Sequence, residues 1–328
     1  MPNTQPITVA AIQLDTDIGN VSRNLQQCRA LVLEARAQGA RWIALPEFFN
    51  TGFCWKPELA DCIEDDSGVS LEFLRSLSQE LGIVIGGSLL YREPSGGVRN
   101  RYFCFNEGHL VGVHDKDLPT MWESSLYEAG DASDTGALGR ADEIRIGSAV
   151  CWEFMRTATS RRLRGKIDIL LGGSNWWSIP NNWPAWLASH METANNQNSL
   201  QCVQDTARLL GVPIVHAAHC NAFDCPTPGL PITYQGNMEG NTAIIDGYGQ
   251  VLAMRSWDEG QGVVIAQVTP GAVSNDLPPI PDSFWLRTRG VIPTLSWHYH
   301  GFLGRRYYKK HVKQTYKTST LKQQKEVH

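Results

Sequence analysis

The chain has 328 residues, 42% of them apolar, with 30 Gly, 17 Pro and a formal net charge of −4. That composition is ordinary for a folded α/β protein and excludes disordered and fibrous classes, and the near-neutral charge gives no reason to expect nucleic acid or an acidic membrane as partner. Eight cysteines are too sparse for a disulfide scaffold, the amino terminus lacks a basic-then-apolar leader, and no uninterrupted 18-residue apolar span occurs, so a reducing, cytoplasmic setting is expected.

Residues 7–14, ITVAAIQL between Pro6 and Asp15, read as a buried strand. Asn20 can cap a helix whose apolar face is Leu25, Cys28, Leu31, Val32 and Ala35, with Gly39 as its stop. Residues 42–45 form a second strand and leave Glu47 just past its C-terminal end, where open α/β sheets place their ligands. Ser67 or Ser70 can cap the next helix, which carries Leu71, Leu74, Leu77 and Leu81 on one face and stops at Gly82. Runs 83–91, 99–106 and 110–115, separated by turn residues, read as a meander, which makes the sheet mixed, and Lys116 follows directly.

Residues 117–142 form a polar segment too long for a casual connection, and such loops in compact domains are usually functional. The alternating run 144–150 then delivers Cys151 to a strand end. A basic-faced helix over 157–164, a strand over 167–173 ending in Asn175-Trp176-Trp177, and a helix from about 185 to 210 follow. Strands over 213–219, 242–246, 251–256 and 262–268 close the pattern, with no repeat of fixed period.

Glu47, Lys116 and Cys151 thus share one topological position, each at the end of its own strand. A cysteine nucleophile needs a base and a nearby positive charge, because only the thiolate attacks. In this reading Cys151 attacks an electrophilic carbon, and Glu47 takes the thiol proton and returns it to the leaving amine. Lys116 lowers the thiol pKa and, with the backbone N–H of Trp152, stabilises the tetrahedral oxyanion.

LPEFF around Glu47, HDKDLPT around Lys116 and CWEF around Cys151, 69 and 35 residues apart, resemble the three signatures of the nitrilase superfamily, the carbon–nitrogen hydrolases with a Glu-Lys-Cys triad. The resemblance runs from about Ile7 to Val268 and implies a four-layer αββα sandwich of two mixed β-sheets flanked by helices. It also implies no metal, no organic cofactor, an acyl-thioester or thioimidate intermediate, and a homo-oligomer, dimer or larger. KDLPTMWESSLYEAGD, residues 116–131, resembles the nitrilase-branch pattern and puts Glu123 where the family carries a second glutamate that orients substrate or lysine. The expected organisation is a hydrolase domain over 1–270 and an extension over 271–328.

That extension carries eight Lys or Arg against one acid from residue 305 onward, a solvated terminus or a subunit contact. Trp152, Trp176, Trp177, Trp183 and Trp186 cluster after Cys151, and aromatics near a cleft suit a small apolar or aromatic acyl group. Trp152, Asn175, Trp176, Tyr127 and Phe48 are the candidate substrate-binding residues. Glu153 is open between the same polar site and a strand-end ion pair, whereas His216 and His219, on opposite faces of one strand, make a zinc site with Cys220 and Cys225 unexpected.

The expected activity is hydrolysis of a small carboxamide to acid and ammonia. A small nitrile is the alternative substrate. An acyltransferase or a non-catalytic assembly protein fits less well, since a binding scaffold has no need of all three triad residues.

Overall fold

The structure is a computed structural model that describes residues 5–274 and 276–313. One run of strands comprises β1 (Ile7–Leu14), β2 (Trp42–Ala44), β3 (Val84–Arg92), β4 (Val98–Asn106), β5 (His109–Asp115) and β14 (Gly262–Val268), in the order β5-β4-β3-β2-β1-β14. A second comprises β6 (Ala137–Ala141), β7 (Ile144–Val150), β8 (Ile169–Ser174), β9 (Ile214–His219), β12 (Gly240–Ile245) and β13 (Val251–Ser256), in that spatial order. Gln13 and Leu14 of β1 pair with Ala218 and His219 of β9, which joins the two runs into one mixed 12-stranded sheet. The two runs correspond to the two mixed sheets expected from the resemblance, joined by these pairs into one large mixed sheet flanked by helices.

The period-2 alternation of β1 decides what lies on each side. Ala10, Ile12 and Leu14 pack with Leu31 and Val32 of α1 (Val21–Ala37) and with Leu74 and Leu77 of α2 (Val69–Leu81). Val9 and Ala11 face the opposite way, into a core with Ile146, Leu171 and Val215 of the second run. To this second core α3 (Thr157–Leu163) and α4 (Ala185–Leu210) add Leu163, Cys202, Val203, Ala207 and Leu210.

The Asn20 side chain accepts from Arg23 N, as the capping pattern requires, and Gly82 ends α2 in the left-handed region at φ +59°. The cap of α2 differs from expectation: Gly68 occupies it, and Ser70 instead donates its hydroxyl to Glu64 Oε1 at 2.6 Å.

A strand, a hairpin and a helix escaped the sequence reading. β6 lies in the polar segment 117–142, and β10 (Ala222–Pro226) pairs with β11 (Thr233–Asn237) as a separate hairpin. The third is α5 (Val291–Tyr307), which crosses a short turn over Met121–Ser125. Ser124 Oγ donates to Gly301 O at 3.2 Å, and a Cβ on Gly304 would lie 2.3 Å from Ser124 Oγ, so only glycine permits this approach.

Of the expected basic tail, Arg305, Arg306, Lys309, Lys310 and Lys313 continue α5 and its last turn, while Lys317, Lys322 and Lys325 lie outside the described residues. Among the described residues no helix is long and apolar enough to cross a membrane.

Candidate active site

Four strand ends converge. Glu47 follows β2, Lys116 follows β5, Cys151 follows β7 and Asn175 follows β8. Close approach is possible because β8 ends in Gly172-Gly173: a Cβ on Gly173 would stand 2.7 Å from Pro46 Cα and 3.1 Å from Glu47 N. The chain leaves these ends sharply, with Phe48, Met121 and Cys151 all in the left-handed region at φ +52°, +50° and +54°. Such conformations cost about 1–3 kcal/mol each in non-glycine residues, and here they sit beside the acidic and thiol groups.

Lys116 is the hub. Its Nζ donates to Glu47 Oε1 at 2.8 Å, to Glu123 Oε2 at 2.7 Å and to Thr120 Oγ1 at 3.1 Å, with every partner buried. Burial disfavours the ammonium, but Glu123 and Glu47 hold it above the ordinary lysine range.

Glu47 also accepts from Asn100 Nδ2 and from Asn175 N, both at 2.8 Å. The Glu123 carboxyl is pushed up to about 7 by burial, against the pull of Lys116 and with the charge of Glu47 adding to the rise. Glu123 Oε2 further accepts from Thr120 N at 2.8 Å and from the Tyr127 hydroxyl, whereas Oε1 is buried with no partner among the described residues.

Cys151 Sγ and carboxylate oxygens of Glu47 and Glu123 lie within 4.8 Å of one another. Two carboxylates and a thiolate are a plausible donor set for a cation, and Lys116 Nζ is the cation the two carboxylates share. Burial pushes the Cys151 thiol well above its ordinary range, Glu47 adds to this and Lys116 opposes it. Of these influences burial is the largest, and the lowering by Lys116 does not offset it.

Beside Cys151 opens a cavity of about 410 Å³, walled by Trp152, Trp176, Asn175 and Glu123 among others. The Asn175 side chain is already occupied, its Oδ1 accepting from Phe53 N at 3.2 Å and its Nδ2 donating to Phe53 O at 3.0 Å. Tyr127 and Phe48, expected as pocket walls, are not on this surface: both are fully buried behind it, edge to face at 6.2 Å, and Tyr127 serves Glu123.

Glu153 belongs to a second polar cluster that braces the first. Its Oε1 accepts from Asp117 N at 3.2 Å and Arg162 Nη2 at 2.9 Å; its Oε2 accepts from Val150 N at 2.8 Å and pairs with His114 Nε2 at 2.8 Å. Burial works against both charges, yet His114 and Arg162 hold Glu153 down at about 2, and Glu153 and Asp134 hold His114 up at about 10. One carboxylate thereby fixes the residues beside Lys116 and Cys151 to each other.

His219 hydrogen-bonds the Glu47 carbonyl through Nε2 at 2.6 Å and Thr16 through Nδ1, and His216 bonds Ser174 at 2.7 Å; burial pushes both rings down to about 4. Asn100 carried no sequence signal, and neither the HDKDLPT motif around His114 nor the strand carrying His219 showed which group each ring serves, because each acts through a partner distant in the chain.

The carbon–nitrogen hydrolase family model matches residues 8–275. A hydrolase of Schizosaccharomyces pombe is 24% identical over 272 residues, covering 79% of this chain and 76% of that protein. The 2-oxoglutaramate amidase of Bacillus subtilis is 23% identical over 266 residues, covering 80% and 90%. Among solved structures, a carbon–nitrogen hydrolase of Helicobacter pylori superposes with a TM-score of 0.66 at 17% identity, covering 80% of this chain and 89% of that one. The chain belongs to the carbon–nitrogen hydrolase family of the nitrilase superfamily and is an enzyme of that type.

Proposed function

We propose that this enzyme hydrolyses a small carboxamide to a carboxylic acid and ammonia through an acyl-thioester on Cys151. The supporting observation is the buried Lys116 ammonium shared by Glu47 and Glu123, with the Cys151 thiol within 4.8 Å of both acids.

Because burial keeps the thiol protonated, attack and proton transfer are coupled: Sγ bonds to the carbonyl carbon as Glu47 takes the thiol proton. Lys116 and the Trp152 N–H stabilise the oxyanion, an interaction worth about 3 kcal/mol per donor in a dry site. Glu47 passes its proton to the leaving nitrogen and ammonia departs. Water then adds to the thioester with Glu47 again as base, and collapse releases the acid and restores the thiol. Glu123 Oε1, buried without a partner among the described residues, is placed to accept from the substrate amide N–H and orient it.

The test is ammonia release from a panel of amides and nitriles, with Cys151→Ala as control and intact-mass trapping of the acyl adduct. Amide turnover with an adduct on Cys151 is expected. No ammonia from any substrate and no adduct would sink the reading, and turnover of nitriles alone would replace the amide by a nitrile.

A further inference from the structure

The cavity beside Cys151 is uneven in its polarity. Three of its aromatic walls have spent their polar atoms on the protein: Trp176 Nε1 donates to Asn195 Oδ1 at 3.0 Å, Trp177 Nε1 to Phe53 O at 3.2 Å, and the Tyr234 hydroxyl to Ser178 O. Away from the triad, Trp122 and His300 differ. Trp122 Nε1 and His300 Nε2 are buried with no partner among the described residues, on side chains only 3% and 7% exposed. Their ring centroids are 5.6 Å apart. Unpaired buried polar atoms are rare and destabilising, and a pair of them on one wall of a substrate cavity points to a ligand group that completes them.

The chemistry of that group follows from the two atoms. Trp122 Nε1 can only donate. His300, from α5, is neutral because burial pushes its pKa down, and its Nδ1 lies 2.9 Å from Ser296 Oγ. With Nδ1–H donating to Ser296, Nε2 is an acceptor, and a hydroxyl that accepts from Trp122 and donates to His300 satisfies both. An anion is a poor occupant. Among the described residues no Lys or Arg lines the cavity, and Glu123, the one charged lining residue among them, is paired with Lys116 through Oε2. A carboxylate would be desolvated there with no counter-charge.

We propose that the acyl group accepted by this enzyme is uncharged and aromatic, filling the tryptophan-walled cavity, with a distal hydroxyl seated between Trp122 and His300. The proposal rests on the amidase reading for the reaction, but its recognition element is separate from the triad. It sets this chain apart from a 2-oxoglutaramate amidase, whose named substrate carries a carboxylate.

Calorimetry on the full-length Cys151→Ala chain tests it without requiring turnover. The ligands are phenylacetamide, its 3- and 4-hydroxy derivatives, and succinamate as the anionic amide. The better hydroxyphenylacetamide should bind about tenfold tighter than phenylacetamide, and succinamate weaker than either. Adding His300→Phe, or separately Trp122→Phe, should bring the hydroxyl preference to about one. Equal affinity for the aromatic amides, tighter binding of succinamate, or a preference that survives both added substitutions overturns the proposal. Absence of ammonia release by the unsubstituted enzyme would instead overturn the amidase reading, since the binding ratio does not depend on chemistry.

Discussion

Two buried charge clusters meet at the turn that carries Cys151, and they are built to opposite ends. Around Glu153, each group is held firmly in its charged form: the carboxylate down at about 2, the His114 imidazolium up at about 10. Around Lys116 the balance is poor, with two carboxylates competing for one ammonium, Glu123 pushed up to about 7 and the Cys151 thiol pushed above its range. The first arrangement stabilises and positions. The second keeps proton acceptors and a proton donor close together, which costs stability and supplies reactivity.

The largest effect that would sharpen this contrast is from Lys116→Met. Removing the shared cation leaves Glu47 and Glu123 buried side by side, a loss of about 3–5 kcal/mol by analogy with broken buried pairs. Turnover should fall by about 10³-fold or more as oxyanion stabilisation goes. Denaturant titration and ammonia release measure the two, and the stability deficit should ease as pH falls towards about 7, because without the pull of Lys116 the Glu123 carboxyl takes up its proton at a higher pH than it does beside that ammonium. Wild-type turnover in this variant would break the assignment.

Next in size is Glu153→Gln. Glu153 is depressed from 4.5, so its stabilisation is present above that pH and lost as pH falls through about 2; His114 is raised from 6.5, so its share is present below that pH and lost as pH rises through about 10. The gap between wild type and variant should be widest, about 3 kcal/mol, between pH 4.5 and 6.5 and narrow on both sides. A gap independent of pH would mean that packing, not charge, holds this cluster.

The third effect, no larger than the second, runs the other way. Glu123 is raised from 4.5 to about 7, so its favourable contribution is present below 4.5 and lost as pH rises through 7. The unfolding midpoint of the wild type should therefore decline relative to Glu123→Gln across that window, by up to about 3 kcal/mol in stability. Parallel curves for the two proteins would show that Lys116 fully offsets the burial of Glu123.

How much of this was legible beforehand depends on the range of the interaction. Asn20 capping α1 and Gly82 ending α2 are decided within a few residues, and they read correctly. The α2 cap did not, because Ser70 found a better acceptor in Glu64 than in its own helix end. Phe48 and Tyr127 were candidate pocket walls as aromatics near the cleft, but their side chains are buried against each other away from the cavity lining. α5 passed unseen: its moderate apolar pattern became a helix face only against the 121–125 turn, through Gly301 and Gly304.

By itself the sequence determined β2, β5 and β7 and their ends, since period-2 alternation and turn residues are local, and with them the positions of Glu47, Lys116 and Cys151. Only the tertiary structure decided what those positions mean together. Which carboxylates share the ammonium, whether the thiol rests protonated, and which atoms of the cavity wall stay unpaired all depend on burial and on residues as far apart as Trp122 and His300. Desolvation and hydrogen-bond satisfaction are properties of a packed environment, and no window of sequence contains one.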